Sequence, residues 1–456
     1  MRLGVVILAA GQGKRMKSDR PKVLHELAGR SLLGRVIDTA RLLQPAEIVV
    51  VHGHGGEQVR AEFSDAQDLR WAEQAQQLGT GHAVQQAVDR LDAAARVLIL
   101  YGDVPLVRAE TLAALITAAG PQGFGLLTVR RADPTGYGRV VRDAGGRVQR
   151  IVEQKDADAE QLLIDEVNTG IMVLPRDALQ RWLGGLSNDN AQREYYLTDV
   201  IEMAVAEGFD IEVCQPESAL EAEGVNDRVQ LAAMERAHQN EVAEHLMREG
   251  VTLFDPARFD LRGSLSHGRD VEIDVNVVLA GAVKLGDRVQ IGPNCVLRDV
   301  TLGDDVEILA NSVIEGALVG PGSRVGPFAR LRPGAALAVD THIGNFVEVK
   351  QSTIGPGSKV NHLSYIGDAD IGRGVNVGAG TITCNYDGAK KHKTVIGDHA
   401  FVGSNTALVA PVAVGDNATI GAGSVISRDA PADQLTVSRA RQASFDWQRP
   451  TKDKRS

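Results

Sequence analysis

The sequence is short of cysteine: Cys214, Cys295 and Cys384 are its only three, odd in number and widely scattered. That excludes a disulfide framework and any metal-binding spacing, and it fits a reducing compartment. Aromatics make up only 4%, as expected where aliphatics fill a narrow solenoid and a parallel sheet. No run approaches the roughly twenty apolar residues that span a bilayer. The first apolar run covers about nine residues with a glycine loop directly behind it, which reads against a signal peptide, and a cytoplasmic location is expected. Basic charge is in deficit, leaving a net charge of -10. This argues against general binding to nucleic acid or a membrane surface, so an anionic substrate has to be held by local groups. The remainder, 43% hydrophobic and 24% charged, is that of a globular protein whose 456 residues call for more than one domain.

From about Ile273 to Ile426 the chain carries a period of six. Beyond Val319 an aliphatic residue returns at Val325, Leu331, Leu337, Ile343 and Val349, then after a one-residue slip at Ile354, Val360 and Ile366. It slips again to Ile371 and Val377, and past an insertion runs through Ile396, Val402, Leu408, Val414, Ile420 and Ile426. Glycine often follows it, as in Ile343-Gly344 and Ile420-Gly421. Four places on sits a small or β-branched residue such as Thr341, Val347, Ser358, Ala400 or Thr406. This period is neither helical nor that of a simple strand. It predicts a parallel β-helix, with short strands as faces and glycine or polar turns as corners. Each coil leaves its ends uncovered, so only stacking buries the aliphatic ladder. The insertion, Thr383 to Lys393, carries Asn385-Tyr386 and a basic run; a loop extruded from a solenoid reaches toward a ligand or a neighbouring subunit.

At the other end, Val5 to Ala10 is a continuous apolar run, the pattern of a strand buried on both faces. Gly11-Gln12-Gly13-Lys14-Arg15-Met16 follows at once. Strand then glycine loop is a phosphate cradle, because glycine lets backbone N–H groups approach the oxygens. The loop lacks the third glycine of a dinucleotide fingerprint and the Gly-Lys-Ser/Thr of a Walker loop. It has Arg15 instead, with Pro21-Lys22 just beyond. Two fixed cations suit a triphosphate whose charge grows as pyrophosphate leaves, although a solvated surface cluster accounts for the same residues.

Ser31 predicts a helix cap with a helix to about Leu43; Glu47 to Val51 is a second buried strand. Val97 to Tyr101 is a third, ending in Gly102-Asp103, and a carboxylate there lies where open α/β sheets bind ligands and Mg²⁺ can meet phosphate oxygens. Gln74-Ala75-Gln76-Gln77-Leu78-Gly79-Thr80-Gly81 sets amides beside a tight turn. They can read the edge of a pyrimidine base, or Thr80 can simply cap a helix from His82. Alternating strands and helices predict a doubly wound, Rossmann-like α/β domain over 1–226. Val229, Ala233, Ala237, Val242 and Leu246 predict one long helical connector over 227–250, ahead of a repeat domain over 251–456. After Pro431 the tail turns polar, and Arg449 to Ser456 is expected to be disordered.

Arg332 and Lys350 occupy repeat positions where a buried cation would be expensive, so they point outward toward an anion. His362 lies among Asn361, Ser364 and Tyr365. A lone histidine in a β-helix corner is more often structural, but the two nearby cations and Tyr365 favour catalysis. A histidine, with its ordinary pKa of about 6.5, can take the proton of an amine that attacks a thioester.

Leu8-Ala9-Ala10-Gly11-x-Gly13-x-Arg15-Met16 with Pro21-Lys22 resembles the sugar-nucleotide pyrophosphorylases. Gln77-Leu78-Gly79-Thr80-Gly81, Tyr101-Gly102-Asp103, Asn168-Thr169-Gly170 and the hexapeptide domain narrow the likeness. Over almost its whole length the chain is similar to the bacterial bifunctional N-acetylglucosamine-1-phosphate uridyltransferase/glucosamine-1-phosphate N-acetyltransferase family. The resemblance implies a left-handed β-helix, a homotrimer and roles at matching positions. Leu8, Ala9, Ala10, Gly11 and Lys22 would contact the nucleotide, with Arg15 and Lys22 steadying the leaving pyrophosphate. Gln74, Gly79 and Thr80 would read uracil and ribose, while Tyr101, Gly102, Gly138, Glu153 and Asn168 would line the sugar side. Asp103 and Asn226 would ligate Mg²⁺, although Asn226 reads equally as a helix cap. Arg332, Lys350, Tyr365 and Asn376 would bind glucosamine 1-phosphate, with His362 as base and Glu348 orienting it or the substrate. Ala379, Asn385, Tyr386, Ser404, Ala422 and Arg439 would bind acetyl-CoA.

The reactions implied are acetylation of glucosamine 1-phosphate, then transfer of uridylyl from UTP to give UDP-N-acetylglucosamine and pyrophosphate. The product would feed peptidoglycan and, in Gram-negative cells, lipid A. The competing reading is a one-reaction nucleotidyltransferase whose β-helix only assembles or regulates. His362, Lys350 and the Asn385-Tyr386 insertion discriminate, since a scaffold has no use for them.

Overall fold

The computed structural model describes residues 2–449 and forms two compact units that divide between His238 and Gln239. The first is built on a mixed sheet. Its strand order is Ile211–Cys214, Phe124–Arg130, Glu166–Pro175, Arg96–Tyr101, Leu3–Ala9, Glu47–His52, Leu69–Glu73. Leu3–Ala9 is central because it is apolar on both faces, with Val5, Val6 and Ile7 fully buried. One face packs under Leu33, Val36 and Ile37 of the helix Leu32–Leu42, the other under Ala83, Val84 and Ala87 of the helix Thr80–Val88. Ser31 caps the first of these as predicted, its hydroxyl accepting the Gly34 N–H at 3.3 Å.

This is the doubly wound α/β arrangement with antiparallel departures: Glu166–Pro175 runs antiparallel to both neighbours, and an antiparallel hairpin, Arg139–Arg142 with Val148–Val152, pairs beside it. Leu3–Ala9 pairs in parallel with Glu47–His52 on one side and Arg96–Tyr101 on the other. The winding therefore reverses at this strand, and the crevice beyond its C-terminal end is the switch point where such sheets bind ligands.

Arg228–Arg248 is the expected long helix, but its buried stripe differs from the one the spacing indicates. Val229 is 79% exposed and Ala233 is exposed. Met234 packs with Met16, Leu27 and Leu32 in the first unit, whereas Ala243 and Leu246 join the core of the second. No single apolar face serves the whole helix, because its two halves belong to different cores.

The second unit is a parallel β-helix. One face is an eleven-stranded sheet running from Thr252–Leu253 to Leu435–Thr436. The other two faces form one 17-stranded sheet. They are joined where Val277–Leu285 runs through a corner and pairs with both Val296–Arg298 and Thr301–Leu302. The predicted ladder is the core. Val325, Ile343, Val360, Val377, Val402 and Ile420 stack in register, none more than 3% exposed. The ladder begins before Ile273, since Leu253 is already paired with it. The one-residue slips are absorbed at a corner where Gln351 (φ 46°) and Asp368 (φ 49°) turn the chain in the left-handed region. The insertion starts later than the period indicates. Thr383 is fully buried within the strand Ile382–Cys384 and pairs with Leu408, so the loop begins at Asn385.

All three cysteines are free thiols. No helix among the described residues is long and apolar enough to cross a membrane. Of the tail expected to be disordered, Pro450 to Ser456 lies outside the described residues.

Candidate active sites

At the switch point of the first unit lies a cleft of about 270 Å³. Leu8, Ala9, Ala10, Gly11, Lys22, Gln74, Gly79, Thr80, Tyr101 and Asp103 all line it, and Val23, Gln77, Ala83 and Glu194 complete it. Gly13 takes φ 59°, and a Cβ there would lie 2.7 Å from the Lys22 Cβ, so glycine lets the loop fold onto Lys22. Gln77 Nε2 donates to the Ala10 carbonyl at 2.6 Å, tying the amide-rich segment to the end of the central strand. Thr80 does not cap its helix. The helix starts at Thr80 with Gly79 as N-cap, and the Thr80 hydroxyl accepts the Leu197 N–H at 3.0 Å. Arg15 is exposed on the turn Lys14–Met16 and is not part of the cleft wall.

The Lys22 ammonium is paired with Asp103 and lies 3.4 Å from Asn226 Oδ1. A carboxylate and an amide oxygen thus converge on one cation. These are the hard donors Mg²⁺ takes, with phosphate oxygens and water filling its remaining positions, so the pair fits the ion. Among the described residues no group of three or more His, Cys, Asp or Glu could hold a metal, which leaves such an ion dependent on the substrate's own oxygens. Asn226 is not the helix cap; Asp227 is, its carboxylate accepting the Gln230 N–H at 2.8 Å.

The Asn168-Thr169-Gly170 segment is a bulge in Glu166–Pro175, where the register shifts between Asn168 and Met172. Asn168 Oδ1 accepts the Gly170 N–H at 2.9 Å. Gly170 has φ 82°, and a Cβ there would lie 2.4 Å from the Tyr101 ring, so the bulge makes room for that ring. Burial pushes the Tyr101 phenol well above its ordinary pKa, with the Glu153 and Asp103 carboxylates adding to it, so it remains a donor. Glu153 is likewise raised by burial, and Thr198 Oγ1 donates to it at 3.1 Å. Gly138 lies beside Glu153, since a Cβ there would come 3.4 Å from its carboxylate. Gly102, Gly138, Glu153 and Asn168 are not part of the 270 Å³ cleft wall. Glu153 opens instead on another cleft, of about 430 Å³, shared with Asp156, Tyr196 and Asp199.

In the second unit His362 is exposed at a corner. Its Nδ1 lies 2.8 Å from Asn345 Oδ1, directly opposite in the ladder one coil earlier. An amide oxygen only accepts, so Nδ1 carries the hydrogen and Nε2 is left with its lone pair, the arrangement a general base needs. Asn345 escaped sequence reading because its link to His362 is a stacking register. The same corner continues through the chain: Gly380 N–H donates to His362 O, Asn405 N–H to Ala379 O and Gly423 N–H to Ser404 O. The Arg439 guanidinium then donates to Ala422 O at 2.7 Å. His362, Ala379, Ser404 and Ala422 therefore form one column, closed by Arg439.

The remaining residues lie elsewhere on the coil. Arg332 donates to Glu348 at 2.8 Å, so Glu348 holds that cation. Glu348 and Tyr365 are ladder partners, and Lys350 stacks on Gly367. The nearby Lys391 ammonium lowers the pKa of Lys350, with burial and Arg332 adding to it. Facing ammoniums beside a guanidinium leave a place for an anion. Lys391 comes from the insertion, which is folded back by its Tyr386–Lys391 bridge and by Asp387 accepting the Ala389 and Lys390 N–H groups. Asn385 is buried against the coil and donates to Asp368, at the corner beyond Tyr365. Tyr386 is 62% exposed. Asn376 lies on the neighbouring face, between Lys359 and Phe401.

Residues 5–167 match the MobA-like NTP transferase domain family, residues 261–363 the GMPPB C-terminal domain and residues 393–428 the bacterial transferase hexapeptide repeats. "Bifunctional protein GlmU" of Methylococcus capsulatus is 61% identical over 99% of this chain and 98% of its own length. The proteins of that name from Ralstonia pickettii and Stutzerimonas stutzeri are each 60% identical, over 99% of this chain and all of theirs. With a switch-point cleft in one unit and a column headed by His362 in the other, the chain belongs to the GlmU family of bifunctional enzymes, uridyltransferase and acetyltransferase in one polypeptide that makes UDP-N-acetylglucosamine.

Proposed function

We propose that each unit carries one complete set of reacting groups, His362 serving acetyl transfer and Lys22 with Asp103 serving uridylyl transfer. The observation that supports this most strongly is the His362–Asn345 hydrogen bond at the head of the corner column. In the first reaction the amine of glucosamine 1-phosphate attacks the thioester carbon of acetyl-CoA. The N–C bond forms, His362 Nε2 takes the amine proton, and the C–S bond breaks to release CoA. Arg332, Lys350 and Tyr365 hold the sugar phosphate, with Asn376 on the adjoining face. Three steps down the column are about 14 Å at the usual strand spacing, a length that suits an extended thioester arm lying along Ala379, Ser404 and Ala422 toward Arg439.

In the second reaction a phosphate oxygen of N-acetylglucosamine 1-phosphate attacks the α-phosphorus of UTP, and the bond to the bridging oxygen of pyrophosphate breaks. Leu8, Ala9, Ala10 and Gly11 cradle the nucleotide, Gln74, Gly79 and Thr80 meet its base, and Tyr101, Gly102, Gly138, Glu153 and Asn168 face the sugar. Lys22 exchanges Asp103 for phosphate oxygens as the nucleotide arrives, and Arg15 closes from its exposed loop. Asp103 and Asn226 would hold Mg²⁺, which when bound would supply charge neutralisation on the phosphates.

The protein acts as a homotrimer in the cytoplasm, where acetyl-CoA and UTP are made. Two features support assembly. Phe328, Phe346 and Leu363 stand at His362's corner in the left-handed region, exposed, with the two phenyl rings stacked 5.3 Å apart. Corners on other coils use Asn294, Asn311 or Gly380 there; bulky apolar residues strained in this way fit a surface that a second copy covers. In addition, Asn385 and Tyr386 lie one corner away from the His362 column, so a neighbouring subunit is the simplest source of them. Incubating the purified protein with acetyl-CoA and glucosamine 1-phosphate, without UTP, should release free CoA thiol. No release from the folded trimer would leave only the nucleotidyltransferase reading.

A further inference from the structure

We propose that His82 is a specificity-determining residue of the nucleotide cleft, fixing the amide of Gln74 so that only a hydrogen-bond acceptor faces the base. The inference rests on the reading that Gln74 meets the base. Gln74 is 4% exposed and lines the cleft. Its Nε2 lies 3.0 Å from Gly79 O and 3.1 Å from His82 Nδ1. A carbonyl oxygen only accepts, so the nitrogen end of the amide has to face Gly79; the reversed amide would set two oxygens against each other. Nδ1 is then the bare nitrogen of the His82 ring, accepting the second amide hydrogen. The ring's Nε2 then carries its hydrogen, and the Gln86 amide nitrogen 3.3 Å away, which donates to His82 O, is a neighbour and not an acceptor.

Both hydrogens of Gln74 are thereby used, and Oε1 alone is left for a ligand. At ring position 3 uracil offers an N–H and cytosine a lone pair, so an acceptor there pairs with the first and repels the second. Turning the amide to show cytosine a donor would break two hydrogen bonds. Without His82 it would break one. A single net hydrogen bond corresponds to a change on the order of tenfold in discrimination.

The test compares kcat/KM for UTP and CTP in full-length protein with Mg²⁺ and N-acetylglucosamine 1-phosphate. His82→Leu removes the acceptor, and His82→Gln moves it to the far side of the ring; both should lower the UTP/CTP ratio about tenfold. His82→Asn, whose Oδ1 takes the place of Nδ1, should keep the ratio. Acetyl transfer by the same preparations reports folding, and if His82→Leu does not fold, the contrast between His82→Gln and His82→Asn decides. Equal losses on both nucleotides, with the ratio unchanged in every variant, would overturn the proposal, as would a ratio that falls equally in His82→Asn. A wild-type protein indifferent to UTP and CTP would overturn the reading of Gln74 itself.

Discussion

Removing the carboxamide of Asn345 tests how the acetyl-transfer base is set. The bond from His362 Nδ1 to Asn345 Oδ1 is 2.8 Å long and joins two residues on the exposed corner. Its net worth, like that of most such bonds in contact with water, is about 0.5–1.5 kcal/mol. Asn345→Ala frees the ring to rotate and to carry its hydrogen on either nitrogen, so kcat for acetyl transfer should fall roughly 2- to 12-fold. That loss is far smaller than the roughly 10²–10⁴-fold expected for deleting a general base. Asn345→Asp keeps the acceptor and adds a negative charge in contact with the ring, which favours the imidazolium. The acid limb of the kcat–pH profile should then move up by about one pH unit, the order a contact pair gives in high dielectric. Both variants can be followed by release of CoA thiol across pH, with pyrophosphate release from UTP as the control for folding. An unchanged kcat in Asn345→Ala together with an unshifted limb in Asn345→Asp would refute the positioning argument.

Gly170→Ala should destabilise the first unit by about 1–3 kcal/mol through backbone strain at φ 82° and displace the Tyr101 ring; thermal melting and uridylyl transfer should both suffer while acetyl transfer persists. Burial, with the carboxylates of Glu202, Glu153 and Asp156 adding, pushes Asp199 up to about 6. Its folded value lies above the unfolded value of about 3.9, so the native state holds the extra proton and stability falls as pH rises between about 4 and 6. Asp199→Asn should therefore raise stability at about pH 7.5 by about 1 kcal/mol for a half-solvated group, read as a higher melting temperature, and change little at about pH 4; equal effects at both pH values would contradict this. A mixture of His362→Ala and Asn385→Ala subunits should recover acetyltransferase activity, because mixed trimers can assemble an intact site from two defective chains. No recovery, with mixed trimers shown to form, would place the acetyl site within one subunit.

The β-helix was legible because one aliphatic residue per face must be buried on every coil, which stamps the period directly on the sequence. The glycine loop and Asp103 were legible because strand ends fix where a ligand meets a parallel sheet. Other features leave no local mark. The direction of Glu166–Pro175 cannot be read from apolar pattern, since parallel and antiparallel central strands bury the same residues. The long helix misled because Met234 and Leu246 answer to different cores. Asn345 and Lys391 join their sites only through coil register and loop folding, and nothing local marks Glu194 as part of the cleft wall.

The central claim, two separate chemistries in one chain, is tested most directly by assaying two single variants for both reactions. Asp103→Asn should abolish Mg²⁺-dependent pyrophosphate release and leave acetyl transfer at the wild-type rate. His362→Ala should lose acetyl transfer by roughly 10²–10⁴-fold and keep uridylyl transfer. Loss of both activities in either variant, with the oligomeric state and the melting temperature unchanged, would contradict the division of labour.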